Sequence, residues 1–521
     1  MLPVPANILK RLRLEDAIHA EAKSWQSLMP VAPGWDLVEG DAQTIANWLN
    51  GQLRAGLPTV RNVVVSARKV AHGIRPIPIW GFAERITYRA LVDFILRNET
   101  PLDRSAETYL KFIGAPIRYA QSLLPPTSPL QFATIGGSEI KYVVKADITA
   151  FYDYIDHGIL SRELLTRTGD NDAINCLMSL LAEVQGRAFG IPQLLDSSDR
   201  LSEIYIDIAE RDILRRGWPA WRFNDDFRIA TRNFSAALSA IEDLAAAARE
   251  IGLTLSDGKT TTPRYITYAF ENFGLGVDDE APEELQRLQA EDAIGDYTEG
   301  IGETDPSWAV EVIARIYTPD TPADERSKNG IDLGSVRGEE FRLLRRCLGR
   351  LIRAGVPDSL PHVLKLVAYV PALTPWVVRY VVKAGSQQLG QAVLVLDHIM
   401  TNITLSDWQR LWVVHAIDEL EVLKPDAPGN SSARIEWVAR LRHGRHSPVV
   451  ASEAAFALAS VGSISYDELE YALRDQPGAL IPWYLGGIRR LYERGDATAK
   501  EFMAIRGEGG LFAALLPGSS T

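Results

Sequence analysis

The sequence predicts an α+β domain followed by an all-α domain. Between residues 61 and 276, β-branched extended runs alternate with segments of helical spacing. From 277 to 305 the chain turns acidic and loses its β-branched residues (DDEAPEELQRLQAEDAIGD), as a linker does. Beyond it almost every segment has a helical period. At 521 residues the chain is long enough for two or three domains with sizeable cores.

Residues 1–60 read as an N-terminal helical segment, with Leu, Ile, Ala and Trp at helical spacing and breaks at VAPGWD and AGLP. RNVVVSARKVAHGIRPIPIW (61–80) changes character. Its β-branched runs, Gly73 and the Pro76/Pro78 pair predict extended strands carrying Arg and Lys. AERITYRALVDFILRNET (83–100) returns to an amphipathic helix. YVVKADI is a strong strand ending near Asp147, followed by a helical segment with aromatics on one side. Helices over 159–186 lead to a Gly-Ile-Pro turn and a serine-capped helix with apolar Leu201, Ile204, Tyr205, Ile208 and Ile213. In RFNDDFRIAT the flanks of an Asp-Asp pair read as strands. FSAALSAIEDLAAAAREIG (234–252) reads as a helix, and RYITYAFENFGLGV as strand-like. Over 306–521, short amphipathic helices with a rough 35–40-residue recurrence suggest a HEAT-like array, ending in a loose LLPGSST tail.

Composition excludes some functions. Hydrophobic residues make up 46% and charged residues 23%, ordinary globular values. No apolar run reaches the roughly 18 residues of a membrane span, and the N-terminus lacks a signal-peptide core. Cys176 and Cys347 stand alone, without metal-ligand spacing. The expectation is a soluble cytoplasmic protein. A net charge of −12 argues against a surface coated for nucleic acid, while leaving room for a narrow basic channel.

Chemistry concentrates at FNDDF (223–227). Adjacent carboxylates repel and are costly to bury beside aromatics unless a cation neutralises them. A hairpin presenting both to a divalent metal resolves that conflict, and a solvated Asp-Asp turn is the plain alternative. Asp147 supplies a third carboxylate at the end of another strand, 78 residues before Asp225. The order strand–helix–helix–hairpin is that of a polymerase palm. There two divalent ions activate a hydroxyl nucleophile and stabilise leaving pyrophosphate.

Five blocks in order now carry a resemblance. DITAFYDYIDH is similar to the A motif of reverse transcriptases of the group II intron and retron type. GIPQ with its serine-rich helix start resembles the B motif, FNDDF the YxDD box with Phe223 at the usual tyrosine, and GLTLSDGKT the D motif. KVAHGIRPIPIWGFAERITYRAL resembles the fingers signature. The resemblance implies right-hand polymerase fingers and palm over 61–276. By carry-over, Asp147, Asp225 and Asp226 are the catalytic, Mg2+-binding carboxylates, with the Ile148 carbonyl as a backbone ligand. Two Mg2+ ions are expected, with Mn2+ as a substitute. Tyr152 matches the aromatic gate against a ribose 2′-hydroxyl, its alternative being a core aromatic. Gln193, Arg75, Lys69 and Arg85 match nucleotide-binding positions, the basic residues having surface solvation as their alternative. Lys259 matches the lysine that assists pyrophosphate departure.

The departures matter too. Leu194-Leu195 follows Gln193 where the family has glycine, and no basic thumb-like segment is evident after Gly276. A palm followed by helical repeats resembles the abortive-infection (Abi) and unknown-group bacterial reverse transcriptases of antiphage defence. That resemblance implies untemplated, protein-primed DNA synthesis from dNTPs, a DNA product covalently attached to protein, and a symmetric homo-oligomer, trimer or hexamer. A template-directed enzyme copying a non-coding RNA partner is the alternative, and an inactive scaffold a third reading. No tyrosine precedes Tyr88, so the primer hydroxyl falls to Ser24, Ser27, Ser519, Ser520, Thr521 or a tyrosine of the helical array.

Two signals are demoted. GLTLSDGKT has five residues between Gly252 and Gly258, not the four of a phosphate-binding loop, and follows a helix. In RLRHGRH (440–446), Gly444 interrupts any helix that would pair Arg440 with His446 as a ribonuclease site. Trp376, Trp408, Trp412, Trp437 and Trp483 read as core.

Overall fold

The computed structural model describes residues 2, 4–24, 28–70, 73–124, 139–273, 306–327, 330–475 and 477–500. The acidic stretch 277–305, Ser27 and the C-terminal Ser519, Ser520 and Thr521 therefore lie outside the described residues. In order, the elements are α1 (Ala6–Leu9), α2 (Leu14–Lys23), α3 (Trp35–Gly40), α4 (Ala42–Ala55), β1 (Val63–Arg68), β2 (Ile74–Ile79), α5 (Phe82–Ile95) and α6 (Ala106–Ser122). Then come β3 (Tyr142–Asp147), α7 (His157–Thr168), α8 (Asn171–Gln185), α9 (Asp196–Arg215), β4 (Ala220–Phe223), β5 (Asp226–Thr231), α10 (Phe234–Glu250) and α11 (Tyr265–Phe273). The remainder is helical: α12 (Ser307–Ala314), α13 (Gly338–Ala354), α14 (Leu364–Tyr369), α15 (Thr374–Gly385), α16 (Leu389–Asn402), α17 (Asp407–Glu419), α18 (Ser431–Leu441), α19 (Pro448–Ala459), α20 (Tyr466–Asp475) and α21 (Ile481–Glu493).

The chain divides into two compact units, Leu91–Gly300 and Met1–Ala90 with Ile301–Thr521. The expected 61–276 module is cut by this division. The β1–β2 hairpin packs in the unit of the C-terminal helices, where β1 touches α17 and α19.

In the 91–300 unit, β3, β5 and β4 form an antiparallel sheet in that order. Strand alternation splits it into two faces. Val144, Ala146, Phe227 and Ile229 make one face and are almost wholly buried, on the side where Arg222 of β4 pairs with Glu203 and Glu210 of α9. On the other, Val143 and Ala230 pack with Ile117 and Ala120 of α6 and with Tyr265, Tyr268 and Ala269 of α11. Further along that second face stand Lys145 opposite Arg228, then Asp147 opposite Asp226.

Two local expectations are corrected. The aromatic run after Arg264 is not a strand: it forms α11, because Tyr265, Tyr268 and Ala269 recur at helical spacing and bury together. Helix α9 has no serine cap. Leu195 is its N-cap without a side-chain bond, and Ser197 and Ser198 are buried in its first turn.

In the other unit, Trp408 and Trp412 are 1% exposed, and their indole nitrogens donate to the Leu28 carbonyl at 2.7 and 3.2 Å. Trp483 is buried too, while Trp376 and Trp437 are half-buried. Helix α18 ends before Gly444, whose φ is 101°. Arg440 pairs with Glu436 and His446 with Asp407, so the two do not form one site. Among the described residues no helix is long and apolar enough to cross a membrane.

Candidate active site

Register explains why three carboxylates meet. Strand β3 ends on Asp147, which pairs across the ladder with Asp226. The β4–β5 hairpin closes over two residues, Asn224 and Asp225, because Phe223 pairs with Asp226. So tight a turn needs a residue that tolerates left-handed backbone, and Asn224, at φ 57°, is of that kind.

Like charges directly opposite on a sheet repel. Burial, together with the charges of Asp147 and Asp226, pushes the Asp225 carboxyl up to about 7. Two cations offset the repulsion. Lys259 Nζ donates to Asp147 Oδ1 at 2.9 Å, and Arg228 Nη1 lies 3.6 Å from Asp226 Oδ1. Burial works to lower the Lys259 pKa, but the hydrogen bond and charge of Asp147, with Asp225 and Asp226, outweigh it and the net shift is upward.

Lys259 is delivered by edge pairing. An open β3 edge would leave backbone groups unpaired. Instead Thr149 N donates to Thr254 O at 2.9 Å, Ser256 N to Asp147 O at 2.7 Å, and Lys145 and Thr261 exchange two 2.8 Å bonds. Ile148 forms a bridge with Leu255 along the same edge.

Around this centre, Tyr152 lies on a 3-10 turn (Phe151–Tyr154), and its hydroxyl donates to Asp199 Oδ1 at 2.6 Å. Ile191 N donates to the Tyr152 carbonyl and Gly190 N to that of Ile155, which ties the Gly-Ile-Pro turn to this segment. Gly190 has φ 81°, and a Cβ there would sit 3.0 Å from the Asp153 carbonyl. Gln193 Nε2 donates to Asp153 Oδ2 at 3.3 Å. Leu194, where the resemblance expects glycine, has φ 66°.

Two arginines that the sequence did not single out hold the hairpin turn. Arg222 Nη1 donates to the Asn224 carbonyl at 2.9 Å, and Arg104 Nη2 to Asn224 Oδ1 at 2.8 Å. Arg222 also pairs with Glu203 and Glu210, and Arg104 with Asp199. Burial raises the Asp199 pKa, and Arg104 works against that rise. Arg104 is 120 residues from Asn224, so no local signal marks it.

The structure thus brings together Asp147, Asp225, Asp226 and Lys259, with Tyr152 and Gln193 on segments bonded around them. Lys69, Arg75 and Arg85 belong to the other unit. Lys69 begins the β1–β2 connection, its N–H donating to the Gly73 carbonyl at 2.8 Å, and Arg75 lies on β2 opposite Ala67. Arg85 is committed to a structural pair: its guanidinium bonds Glu21, 2% exposed, and lies 5.1 Å from the Trp35 ring centroid.

The donor set fits a hard divalent cation. Three carboxylates supply only oxygen, and their mutual repulsion is what such an ion relieves. Among the described residues no group of three or more acidic, His or Cys side chains is arranged to hold a metal ion as it stands. Mg2+ is usually held by one or two carboxylates, with waters and substrate phosphates completing its shell.

Residues 96–275 match the family described as reverse transcriptase (RNA-dependent DNA polymerase). The match supports a reverse-transcriptase-like nucleotidyltransferase domain over that stretch. No curated protein matches the chain. Among solved structures, apo telomerase from Candida tropicalis aligns at 11% identity, covering 85% of this chain and 73% of that one, with a TM-score of 0.30. Telomerase from Candida tropicalis in complex with a three-way-junction fragment of telomeric RNA aligns at 11% identity, 75% and 66% coverage and a TM-score of 0.28. Scores this low carry no argument about this chain.

Proposed function

We propose that the protein is a reverse-transcriptase-like DNA polymerase of antiphage defence that adds dNTPs by two-metal nucleotidyl transfer, untemplated and primed by protein. The convergence of Asp147, Asp225 and Asp226 at one sheet end, inside the stretch matching the reverse transcriptase family, carries this reading. Asp147 and Asp225 would hold Mg2+, with Asp226 and the Ile148 carbonyl as further oxygen donors. Bound ions would supply an activated hydroxyl nucleophile and charge stabilisation for leaving pyrophosphate. The Tyr152 ring faces the nucleotide sugar and excludes a 2′-hydroxyl, and Gln193 borders the incoming nucleotide. Lys259, on an exposed turn beside Asp147, meets the charge of the departing pyrophosphate.

Leu194 in place of glycine supports untemplated synthesis, because a side chain occupies the place where the family's backbone admits template. Defence, priming by protein and a homo-oligomeric HEAT-like architecture rest on the Abi resemblance. Asp147→Ala and Asp225→Ala should each abolish Mg2+-dependent dNTP incorporation by the full-length chain while its thermal unfolding stays cooperative. Wild-type rates in either variant contradict the assignment. The family description favours a second reading, template-directed copying of RNA. Sequencing the product separates the two: a defined complement supports templating, and random or homopolymeric sequence supports the first.

A further inference from the structure

The residues around the hairpin turn form one buried charged cluster. Arg104, Asp199 and Arg222 have side chains 11, 12 and 9% exposed, and Glu203 and Glu210 are 22 and 23% exposed. Desolvating five charges is costly, and well-packed apolar residues would hold the same elements together as firmly. What a guanidinium adds is direction, since its donors form a rigid fork that can bind several acceptors at fixed angles. Arg104 uses that fork on three segments. Nη2 donates to Asn224 Oδ1 at 2.8 Å, Nη1 lies 3.0 Å from Asp199 Oδ2, and both nitrogens lie 3.4 Å from the Tyr152 hydroxyl. The Tyr152 hydroxyl in turn donates to Asp199 Oδ1 at 2.6 Å, and Ser202 closes the cluster at 3.4 Å.

We propose that Arg104 is a positioning residue that sets the metal-bearing turn and the sugar-facing tyrosine together, holding Asn224 beside Asp225 with one nitrogen and Tyr152, through Asp199, with the other. The inference rests on the proposed polymerase function. Its content is that metal affinity and sugar discrimination share one determinant. Losing the guanidinium lets the Asn224-Asp225 turn and the Tyr152 ring drift, and displacements near 1 Å suffice to cost about 100-fold in rate.

The test uses full-length wild type, Arg104→Met, Arg104→Lys and Asn224→Gly. Glycine tolerates the positive φ of the turn and removes the side-chain acceptor for Arg104. Four quantities are read: Mn2+ affinity by electron paramagnetic resonance, kcat for dNTP, KM for dNTP, and the dNTP/rNTP ratio of kcat/KM. In Arg104→Met, kcat and Mn2+ affinity should each fall about tenfold or more, KM should change less than about threefold, and the dNTP/rNTP ratio should drop about fivefold or more. Arg104→Lys should recover part of each loss. Asn224→Gly should lower kcat and Mn2+ affinity alone, and it decides the turn arm if Arg104→Met fails to fold. Unchanged Mn2+ affinity in Asn224→Gly, or an unchanged sugar ratio in a folded Arg104→Met, overturns the proposal. A wild type that binds Mn2+ but incorporates nothing contradicts the functional reading and leaves the Mn2+ measurements to decide on Arg104. A wild type that does neither overturns both.

Discussion

Asp225 shows how a residue can be costly to the fold for the sake of its chemistry. Its carboxyl is pushed up to about 7 by burial and by two neighbouring carboxylates. A pKa raised in the folded state contributes stability below the ordinary carboxylate value, near 4, and loses it as pH rises through about 7. Charged Asp225 therefore costs the metal-free protein on the order of 4 kcal/mol at pH 8. Asp225→Asn should raise the melting temperature of the chelator-treated protein more at pH 8 than at pH 5, as scanning calorimetry would read. An equal gain at both pH values would show that burial and the neighbouring carboxylates do not raise the Asp225 pKa. In the sequence the Asp-Asp pair alone reads as readily as a solvated turn, and it stands out with Asp147 only because five motif-like blocks follow in order. Arg104, Arg222 and Asp199 were not legible, since each acts through partners brought near only by the fold.

At the scale of elements, β3 followed from the YVVKADI run and the hairpin from the strand-like flanks of the Asp-Asp pair. The aromatic run of α11 misled, because β-propensity is overridden when residues bury at helical spacing. Leu194 is the other case of local preference overruled. Holding leucine at φ 66° costs about 1–2 kcal/mol, so the turn keeps a glycine-like conformation without the glycine. Leu194→Gly should therefore leave stability unchanged or raise it by up to about 1 kcal/mol in chemical denaturation, unfolded-chain entropy offsetting part of the relief. It should also raise incorporation directed by an added primer–template relative to template-free incorporation. A variant clearly less stable than wild type, with no rise in templated synthesis, would remove Leu194 from the account.

For the whole molecule, composition placed boundaries where the chain changes character, but a domain is defined by what packs together. Residues 1–90 join the C-terminal helices, and the Leu28 carbonyl that receives Trp408 and Trp412 is one reason. Such pairing over some 380 residues leaves no trace in local pattern. The net charge of −12 likewise says little about a site that concentrates Lys259, Arg228, Arg104 and Arg222 around three aspartates. The central claim, a carboxylate centre that extends DNA from the protein itself, has a direct measurement. Purified full-length protein is incubated with labelled dNTPs and Mg2+, without primer or template, and run on a denaturing gel before and after protease. The account predicts label that migrates with the protein until digestion and is absent from Asp147→Ala. Label that runs free of the protein before digestion, or none in the wild type, would contradict it.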